Sequence, residues 1–482
     1  MKKNRLKTRT KLSSLLLMGL GALCFCACAD TYDGNDSWTS SVKGTKLASP
    51  DDATITVTPS TDGSQQTIAW KVVPGAGQYE LKLFNLTAET ELSDTIDGCS
   101  FTTTREEDTN YRLELRTLGN ADLRNTDADA PTVKAFSTFE AAFAAIDETD
   151  LVAYFEHHPI PEDAEQANLI FDLAEGTEYT VSGTLDFYNH QVTLRTTSKT
   201  NPATIVLAQG GGLATCAGLT LKNLVFECGA TTSAVVSFSA NPDPAILDAD
   251  HNNHHQIREP FNFQNCVFNN VTRYLVYDNK VKYCLKDFVM NNCLVKFTPD
   301  DKMSSGAYFQ IYDGGGFICD FTATNSTFWS ATDNKVNYFI RYNNAGRCDR
   351  AGYTTNSINL VNCTFYNIAK EGQMSNHSGF DGRATSNYDI RNNIFVDCGS
   401  GQVPRRLTGR INTSAVNNFA YNTYWFDGAP ETEGFSTETY DASHNALQTD
   451  PAFVNAAEGN FTPQGAEQLE RQAGDPRWLQ AQ

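Results

Sequence analysis

A four-residue motif, Asn-x-x-(Phe/Val/Tyr), recurs from residue 223 onward in this 482-residue chain. It begins at Asn223, Asn265, Asn292, Asn325, Asn362 and Asn392 and, in looser form, at Asn422. The intervals are uneven, at 42, 27, 33, 37, 30 and 30 residues. A constant core with intervals of variable length is typical of a solenoid, because each coil must realign with its neighbour whereas its loops need not.

The residues around each asparagine indicate a solenoid built of strands. Apolar and polar side chains alternate along residues 358–365, as in a strand that buries one face. We expect the asparagines of successive coils to hydrogen-bond along the solenoid at a tight inward turn, with Cys266, Cys293 and Cys363 stacked beside them. The ten cysteines beyond Cys28 are predicted to be mostly small core residues rather than a disulfide framework. The sequence therefore predicts an all-β chain whose residues 136–482 form a parallel β-helix.

Residues 49–135 have a different pattern, with short alternating segments at 53–58, 66–70, 78–84 and 111–116. Such segments, separated by turn residues, predict a small β-sandwich. The region resembles a fibronectin type III module, since Trp70 stands at the place of its core tryptophan and Tyr111 at that of its corner tyrosine. A spacer is favoured over a ligand-binding module. Ser137 and Glu140 then form a capping box before an apolar run, which predicts a short helix that covers the first coil.

The first 27 residues resemble a bacterial lipoprotein signal peptide. Six Lys or Arg side chains precede an apolar run at 12–27 that is shorter than the roughly 20 residues of a membrane span. Cys28, which follows Ala27, is the expected lipidation site; Cys26 is the second choice, and an ordinary cleaved signal peptide is the alternative. Residues 28–48 form a polar tether, and its acidic start resembles those of Bacteroidota lipoproteins exposed outside the outer membrane. We expect this localisation, with membrane contact through the lipid anchor only.

The net charge limits the classes of partner. It is −20 for the whole chain and would become −26 after removal of the six cations that precede Cys28. Nucleic-acid binding is excluded because it depends on basic residues that neutralise phosphates. The charge also disfavours a polyanionic glycan bound without a metal.

A second repeated pattern lies between the asparagine motifs. It reads Tyr277-Asp278-Asn279, Tyr312-Asp313-Gly314, Tyr342-Asn343-Asn344 and Phe380-Asp381-Gly382. We expect it to form a second ladder on another face of the coils, with rungs about 4.8 Å apart. Carboxylates of Asp278, Asp313 and Asp381 stacked at that spacing would bind Ca²⁺ or only close turns, and the turn is the favoured interpretation.

This second ladder also supplies the candidate sugar-binding residues. The predicted carbohydrate contacts are Tyr312, Tyr342, Asp313 and Asp381, and Arg341 and Arg383 are candidates for a catalytic base or a carboxylate clamp. Tyr274, Tyr308, Tyr338 and Tyr342 would stack on sugar rings if they face outward, or fill the coil if they face inward, and strand parity leaves both open. His251, His254 and His255 could bind a metal, but a solvated loop is favoured.

With a tether, a fibronectin-like module and an asparagine ladder, the chain resembles a group of Bacteroidota surface lipoproteins. These join a fibronectin type III module to a pectate-lyase-like, right-handed parallel β-helix of unknown function, and the endings at 450–453, 459–462 and 474–478 are similar too. The resemblance implies a glycan-utilisation system with other surface proteins of glycan uptake as partners. The favoured function is non-catalytic binding of a plant cell-wall or pectin-like polysaccharide. A Ca²⁺-dependent lyase that cleaves a uronate glycan by β-elimination, and an adhesive solenoid without a sugar ligand, are the alternatives.

Overall fold

The computed structural model describes residues 42–61, 63–162, 168–332, 336–343, 347–377, 380, 383–408, 416–431 and 440–479. The chain divides into two compact units, one ending at Phe139 and the other beginning at Glu140. Cys28, most of the tether and Asp381 lie outside the described residues. Within the described ranges, no helix is both long enough and apolar enough to cross a membrane.

The first unit is an antiparallel sandwich of seven strands. These are β1 (Thr56–Pro59), β2 (Gln65–Ala69), β3 (Ala76–Asn85), β4 (Thr90–Ile96), β5 (Ser100–Thr104), β6 (Asn110–Gly119) and β7 (Thr132–Ser137). They form two sheets, ordered β1-β2-β5 and β4-β3-β6-β7. Alternate side chains of both sheets enclose one apolar core that includes Ile68, Trp70, Tyr79 and Tyr111. The sandwich expected for this region is confirmed.

The second unit consists almost entirely of short strands. In chain order these are β8 (Ala144–Ile146), β9 (Leu169–Leu173), β10 (Glu178–Val181), β11 (Thr184–Asp186), β12 (Val192–Arg195), β13 (Ala203–Leu207), β14 (Gly212–Thr215), β15 (Leu219–Lys222), β16 (Leu224–Glu227), β17 (Val236–Phe238), β18 (Leu247–Asp248), β19 (His254–Ile257), β20 (Phe261–Gln264), β21 (Val267–Val271), β22 (Val276–Tyr277), β23 (Tyr283–Asn291), β24 (Leu294–Phe297), β25 (Ala307–Ile311), β26 (Phe317–Thr324), β27 (Thr327–Ser330), β28 (Tyr338–Tyr342), β29 (Asn356–Val361), β30 (Thr364–Tyr366), β31 (Gln373–Asn376), β32 (Ser386–Arg391), β33 (Ile394–Val396), β34 (Val416–Ala420), β35 (Thr423–Phe426) and β36 (Ala429–Pro430). Three short helices accompany them: α1 (Leu151–His157), α2 (Val403–Thr408) and α3 (Ala466–Arg471).

These strands stack into three sheets, and each coil from β9 to β31 contributes one strand to each sheet. The twelve-stranded sheet has the order β34-β32-β29-β26-β23-β20-β15-β12-β9-β8, with the hairpin β18 and β19 beside it. The ten-stranded sheet has the order β10-β13-β16-β21-β24-β27-β30-β33-β35-β36, and the seven-stranded sheet β11-β14-β17-β22-β25-β28-β31. Neighbouring coils pair in parallel, as β26 with β29 and β27 with β30. The predicted parallel β-helix is confirmed.

The interior of the β-helix is filled by columns of apolar side chains. Phe328, Phe365 and Phe395 occupy the same position in three successive coils, and their rings stack with centroids 5.2 and 4.8 Å apart. Each of the three is almost completely buried. Repeated burial of this kind drives the coils to associate, because each buried aromatic ring removes a large apolar area from water.

The helix that covers the first coil begins later than expected. The apolar run after Glu140 forms β8 instead, which pairs in parallel with β9, and the hydroxyl of Ser137 only accepts a hydrogen bond from the Phe139 amide at 3.1 Å. The true helix, α1, is capped by Asp150, whose carboxylate accepts the Val152 amide at 2.9 Å. The capping-box prediction was therefore wrong in position, because pairing with the sheet satisfies more backbone groups than one isolated helical turn.

The asparagine motifs form the turns between the twelve-stranded and ten-stranded sheets. Asn223, Asn265, Asn292, Asn325, Asn362 and Asn392 all adopt the left-handed conformation, with φ between 51° and 55°. Asparagine enters this region at lower cost than most residues because its short side chain can hydrogen-bond locally. The Nδ2 of Asn265 donates to Asn223 Oδ1 at 2.9 Å, and that of Asn292 donates to Asn265 Oδ1 at 2.8 Å.

Two details of the expected ladder differ. Of these six asparagines only Asn223 is buried, whereas Asn292 is exposed. The left-handed turn at Asn292 points the Asn292 side chain away from the interior of the coil. At the last coil the left-handed residue is Tyr421, with φ 53°, and Asn422 is completely buried one position later. The motif at Asn422 is therefore out of phase with the other six.

The position after each ladder asparagine faces the interior. Cys266, Cys293 and Cys363 are completely buried there, and Asn393 occupies the same place after Asn392. The Cys363 thiol donates to the Ala323 carbonyl at 3.3 Å. None of the ten cysteines in the described part of the chain forms a disulfide, and nine are buried. The interpretation of most cysteines as small core residues is confirmed.

The last described stretch, residues 440–479, is called here the C-terminal segment, and it lies against the outer face of the ten-stranded sheet. The ring of Phe461 lies 5.5 Å from that of Trp329 and 5.6 Å from that of Trp478. The Asp475 carboxylate accepts the Thr327 hydroxyl at 2.8 Å. This segment therefore covers side chains that a bare β-helix would expose.

Candidate functional site

The seven-stranded sheet carries the second repeated pattern, but not in the predicted register. Tyr277 pairs with Gln310, and Gln310 pairs with Arg341. Tyr342 pairs with Ile311, one position before Tyr312. The tyrosines of the pattern therefore do not stack on one another.

Tyr342 was wrongly predicted as a sugar contact. Its side chain is completely buried, and its ring packs against Phe380 with centroids 5.3 Å apart. Burial raises the pKa of its hydroxyl well above the usual value. Tyr308 is buried in the same way, stacked on Phe297 at 3.7 Å. Both rings therefore fill the coil.

Asp278 closes a turn, as the favoured interpretation had it. Its carboxylate is fully buried and accepts the amides of Lys280 at 3.0 Å and Gly314 at 2.7 Å. Burial raises its pKa to about 6, although the two amide hydrogen bonds act in the opposite direction. With both oxygens engaged, Asp278 is a poor calcium ligand. The described residues contain no group of three His, Cys, Asp or Glu side chains placed to hold a metal ion, and Asp381 is not among them.

Asp313, in contrast, is exposed and joins two neighbours on the outer face. Its Oδ2 accepts a hydrogen bond from the Tyr277 hydroxyl at 3.2 Å, and its Oδ1 accepts one from the side-chain amide Nε2 of Gln310 at 3.0 Å. Tyr277 stacks on Tyr274 with ring centroids 4.7 Å apart and planes 15° apart. Burial, and then the Asp313 charge, raise the pKa of Tyr277, so its hydroxyl stays protonated. A stacked tyrosine pair is thus fixed by a carboxylate at the sheet surface.

Arg341 organises the next coil of the same surface. Its guanidinium lies 3.8 Å from the Tyr312 ring centroid and 5.1 Å from that of Tyr338. One guanidinium nitrogen also donates to the Ser305 carbonyl at 3.2 Å. A guanidinium held against aromatic rings is restrained by cation–π attraction.

These residues define what we call the tyrosine face: Tyr274, Tyr277, Tyr312, Asp313, Tyr338 and Arg341. Its tyrosines are half-buried, so each ring keeps part of its surface available. Sequence reasoning proposed Tyr312, Asp313 and Arg341 but missed Gln310 and Ser305, which hold two of them in place. Gln310 could only have been found from the strand pairing, because it lies outside the repeated pattern.

The other candidate residues lie elsewhere. Arg383 has an exposed side chain in the turn before β32. His254 is completely buried and hydrogen-bonds the His251 carbonyl at 3.1 Å, while His251 pairs with Asp248 at 2.9 Å. The hairpin of β18 and β19 accounts for this arrangement, so the loop is more ordered than a solvated excursion.

Three family models match separate parts of the chain, and each is described as a domain of unknown function. They are DUF4992 over residues 1–178, DUF4957 over residues 177–331 and DUF5123 over residues 358–478. No curated protein matches the sequence significantly. Among solved structures, pectate lyase PelI from Erwinia chrysanthemi in complex with tetragalacturonic acid is 12% identical, with a TM-score of 0.14 and coverage of 67% of this chain and 87% of that one. At these values the β-helix assignment rests on the strand pairing and not on this likeness.

Proposed function

We propose that this protein is a cell-surface lipoprotein that binds a polysaccharide on the tyrosine face, without catalysis, within a glycan-utilisation system. The observation that carries the proposal is the convergence of four half-buried tyrosines, a stacked arginine and a carboxylate on consecutive coils. Aromatic faces with a few fixed polar groups are suited to sugar rings. Parallel strands extend this surface along the solenoid axis, which suits a polymer such as a plant cell-wall or pectin-like glycan.

The Ca²⁺-dependent lyase is the weaker candidate. It was motivated by a stack of Asp278, Asp313 and Asp381, but the Asp278 oxygens are occupied by backbone amides. Arg341 has the positive charge of a carboxylate clamp, yet it is held against two tyrosine rings. Restraint of this kind favours binding over proton transfer at this arginine.

Surface display is part of the same proposal. Lipidation at Cys28 would anchor the chain, and a fibronectin type III-like module would act as a spacer. The sheet order of the sandwich supports the module, as does Tyr111, whose hydroxyl accepts the Glu106 amide at 3.2 Å in the manner of a tyrosine corner. Replacing Cys28 by Ala should release folded protein from the membrane fraction. Retention of unprocessed protein there would contradict lipidation at this residue.

The binding proposal is tested by electrophoresis in gels that contain plant and host glycans, combined with ultraviolet detection of unsaturated uronate products. The wild-type protein should be retarded by at least one glycan without forming such products. A Tyr312→Ala, Tyr338→Ala double variant should lose retardation, whereas Tyr188→Asn, which alters an exposed tyrosine with φ 54°, should keep it. Chelator-sensitive product formation would establish the lyase instead. Full retardation of the folded double variant would remove the tyrosine face from the proposal.

A further inference from the structure

A cleft of about 520 Å³ lies where the C-terminal segment meets the asparagine ladder. It is lined by Asn265, Asn291, Asn292, Asn325, Asp475, Pro476 and Arg477, none of which belongs to the tyrosine face. Its volume falls within the range of about 300–1,000 Å³ that is usual for small-molecule sites. Every side chain that lines it is polar except that of Pro476.

The ladder is interrupted at this cleft. Asn325 Nδ2 donates to Asn291 Oδ1 at 3.0 Å and not to Asn292, the ladder residue of the preceding coil. The Asn292 Oδ1 instead accepts a hydrogen bond from the Arg477 guanidinium at 2.9 Å. The C-terminal segment therefore contributes the group that replaces a ladder hydrogen bond, and the cleft opens beside this replacement.

The asparagines at the interruption have hydrogen-bonding capacity beyond the ladder. A carboxamide offers two N–H donors and an oxygen with two acceptor sites. Asn292 uses one donor toward Asn265 and one acceptor site toward Arg477. Asn265 uses one donor toward Asn223 and one acceptor site toward Asn292. Each amide thus retains a donor and an acceptor side by side, which is the complement of two adjacent hydroxyl groups.

The charges of the cleft are already balanced. The Arg477 Nε lies 2.8 Å from Asp475 Oδ2, and the Asp475 side chain is almost completely buried, also accepting the Thr327 hydroxyl. A second carboxylate from a ligand would have to compete with Asp475 for the same guanidinium. A neutral ligand would use the remaining N–H groups of Arg477 and the asparagine amides without that competition.

From this geometry we infer that the cleft is a second binding site, one that takes a neutral, hydroxyl-rich ligand of the size of a monosaccharide unit. Its polar groups come from three successive coils of the ladder and from the C-terminal segment, so the ligand would bridge the β-helix and its cover. The inference does not depend on the tyrosine face, since the two sites share no residue.

The test is a titration of the intact protein with D-galactose, D-glucose and L-arabinose, followed by ligand-detected NMR, with D-galacturonate as the anionic counterpart. Asn292→Gly removes the amide yet tolerates the local φ of 53°. Asn362→Gly is the matched control, with φ 55° and a ladder position outside the lining. We expect saturable binding of at least one neutral sugar, weakened at least tenfold by Asn292→Gly and unchanged by Asn362→Gly.

Three results would overturn the inference: no binding of any of the three neutral sugars, tighter binding of galacturonate than of all of them, or equal binding by wild type and Asn292→Gly. Thermal unfolding of both glycine variants shows whether each remains folded. Tyr312→Ala separates the two sites, because it should leave this binding intact. If Tyr312→Ala abolished it, the sugar would belong to the tyrosine face and the cleft would be excluded.

Discussion

The outer faces of the ten-stranded and seven-stranded sheets both carry aromatic side chains, but these have opposite surroundings. On the ten-stranded sheet, Trp329 and Tyr366 contact Phe461 of the C-terminal segment with ring centroids 5.5 Å apart. On the seven-stranded sheet, the rings of Tyr312 and Tyr338 both lie against the guanidinium of Arg341. Among the described residues, these two rings have no other charged or aromatic contact of this kind. The same residue class is therefore structural on one face and available on the other.

This difference shows how to assign a role to an aromatic residue on a β-helix. An apolar ring packed edge to face against other rings leaves little surface for a ligand, and its burial stabilises the fold. A tyrosine beside arginine or aspartate keeps a polar neighbour that can also bond to a ligand. The partners of a ring, more than its exposure alone, distinguish the two roles.

The largest expected effect is a loss of stability on the outer face of the ten-stranded sheet, which the C-terminal segment covers and which we call the covered face. Phe461 is completely buried among Trp329, Tyr366, Phe453 and Trp478. We expect Phe461→Ala to lower the free energy of unfolding by about 3–5 kcal/mol, because it removes a buried ring and leaves a cavity. Tyr312→Ala should cost less than about 1 kcal/mol, as is usual away from the core. Urea denaturation compares them, and similar losses in both variants would erase the proposed difference between the faces.

The second prediction concerns Asp278, whose buried carboxylate lies beneath the tyrosine face. Its pKa of about 6 in the folded protein exceeds its usual value of 3.8. The folded state therefore binds more protons between these values, so the free energy of unfolding falls as pH rises from about 4 to about 6. At 1.36 kcal/mol per unit, the fall is at most about 3 kcal/mol.

Asp278→Asn should remove this part of the pH dependence, and Asp313→Asn should reduce it only in part, because the Asp313 charge raises the pKa of Asp278 less than burial does. Chemical denaturation across this pH range measures the difference between each variant and wild type. If the Asp278→Asn difference were constant with pH, the buried carboxylate would not titrate as described.

The third prediction concerns Asn325, which lies at the edge of the covered face. Its side-chain Nδ2 donates a hydrogen bond to Asn291 Oδ1 at 3.0 Å, and its side-chain Oδ1 accepts one from Asn362 Nδ2 at 3.2 Å. We expect Asn325→Ala to lower the free energy of unfolding by about 1–3 kcal/mol, through unmade hydrogen bonds and an alanine forced to φ 51°. Asn325→Gly should recover the conformational part, and Asn35→Ala in the predicted tether should be neutral. Equal losses for Asn325→Ala and Asn35→Ala would contradict the ladder's contribution.

The sequence predicted the fold because the decisive signal is local. An asparagine at φ near 53° follows one strand in six successive coils, and the next residue faces inward, as Cys266, Cys293 and Cys363 do. This combination recurs in the sequence whatever the length of the intervening loop. The motif at Asn422 was assigned to the ladder one residue too late, because the left-handed residue of that coil is Tyr421.

The candidate site was only partly predictable, because it depends on register. A shift of one residue along a strand exchanges the inner and outer faces. Tyr312 and Tyr342 occupy the same position of the repeated pattern, yet Tyr342 aligns with Ile311 and lies inside the coil. This offset is a property of the strand pairing, and no local pattern in the sequence records it.

The smallest expected effect is on the affinity for the glycan. It tests whether the tyrosine face binds this glycan through Arg341. Arg341→Ala removes a guanidinium that lies against Tyr312 and Tyr338. We expect binding of the retarding glycan to weaken about tenfold, equivalent to about 1.4 kcal/mol, with a melting temperature within a few degrees of wild type. Arg341→Lys should restore little, because an ammonium group keeps the charge but loses the planar stacking. Arg391→Ala is the control, since Arg391 pairs with Asp389 on the twelve-stranded sheet. Full affinity in Arg341→Ala would leave the tyrosines as the source of binding, whereas rescue by lysine would assign the effect to charge alone.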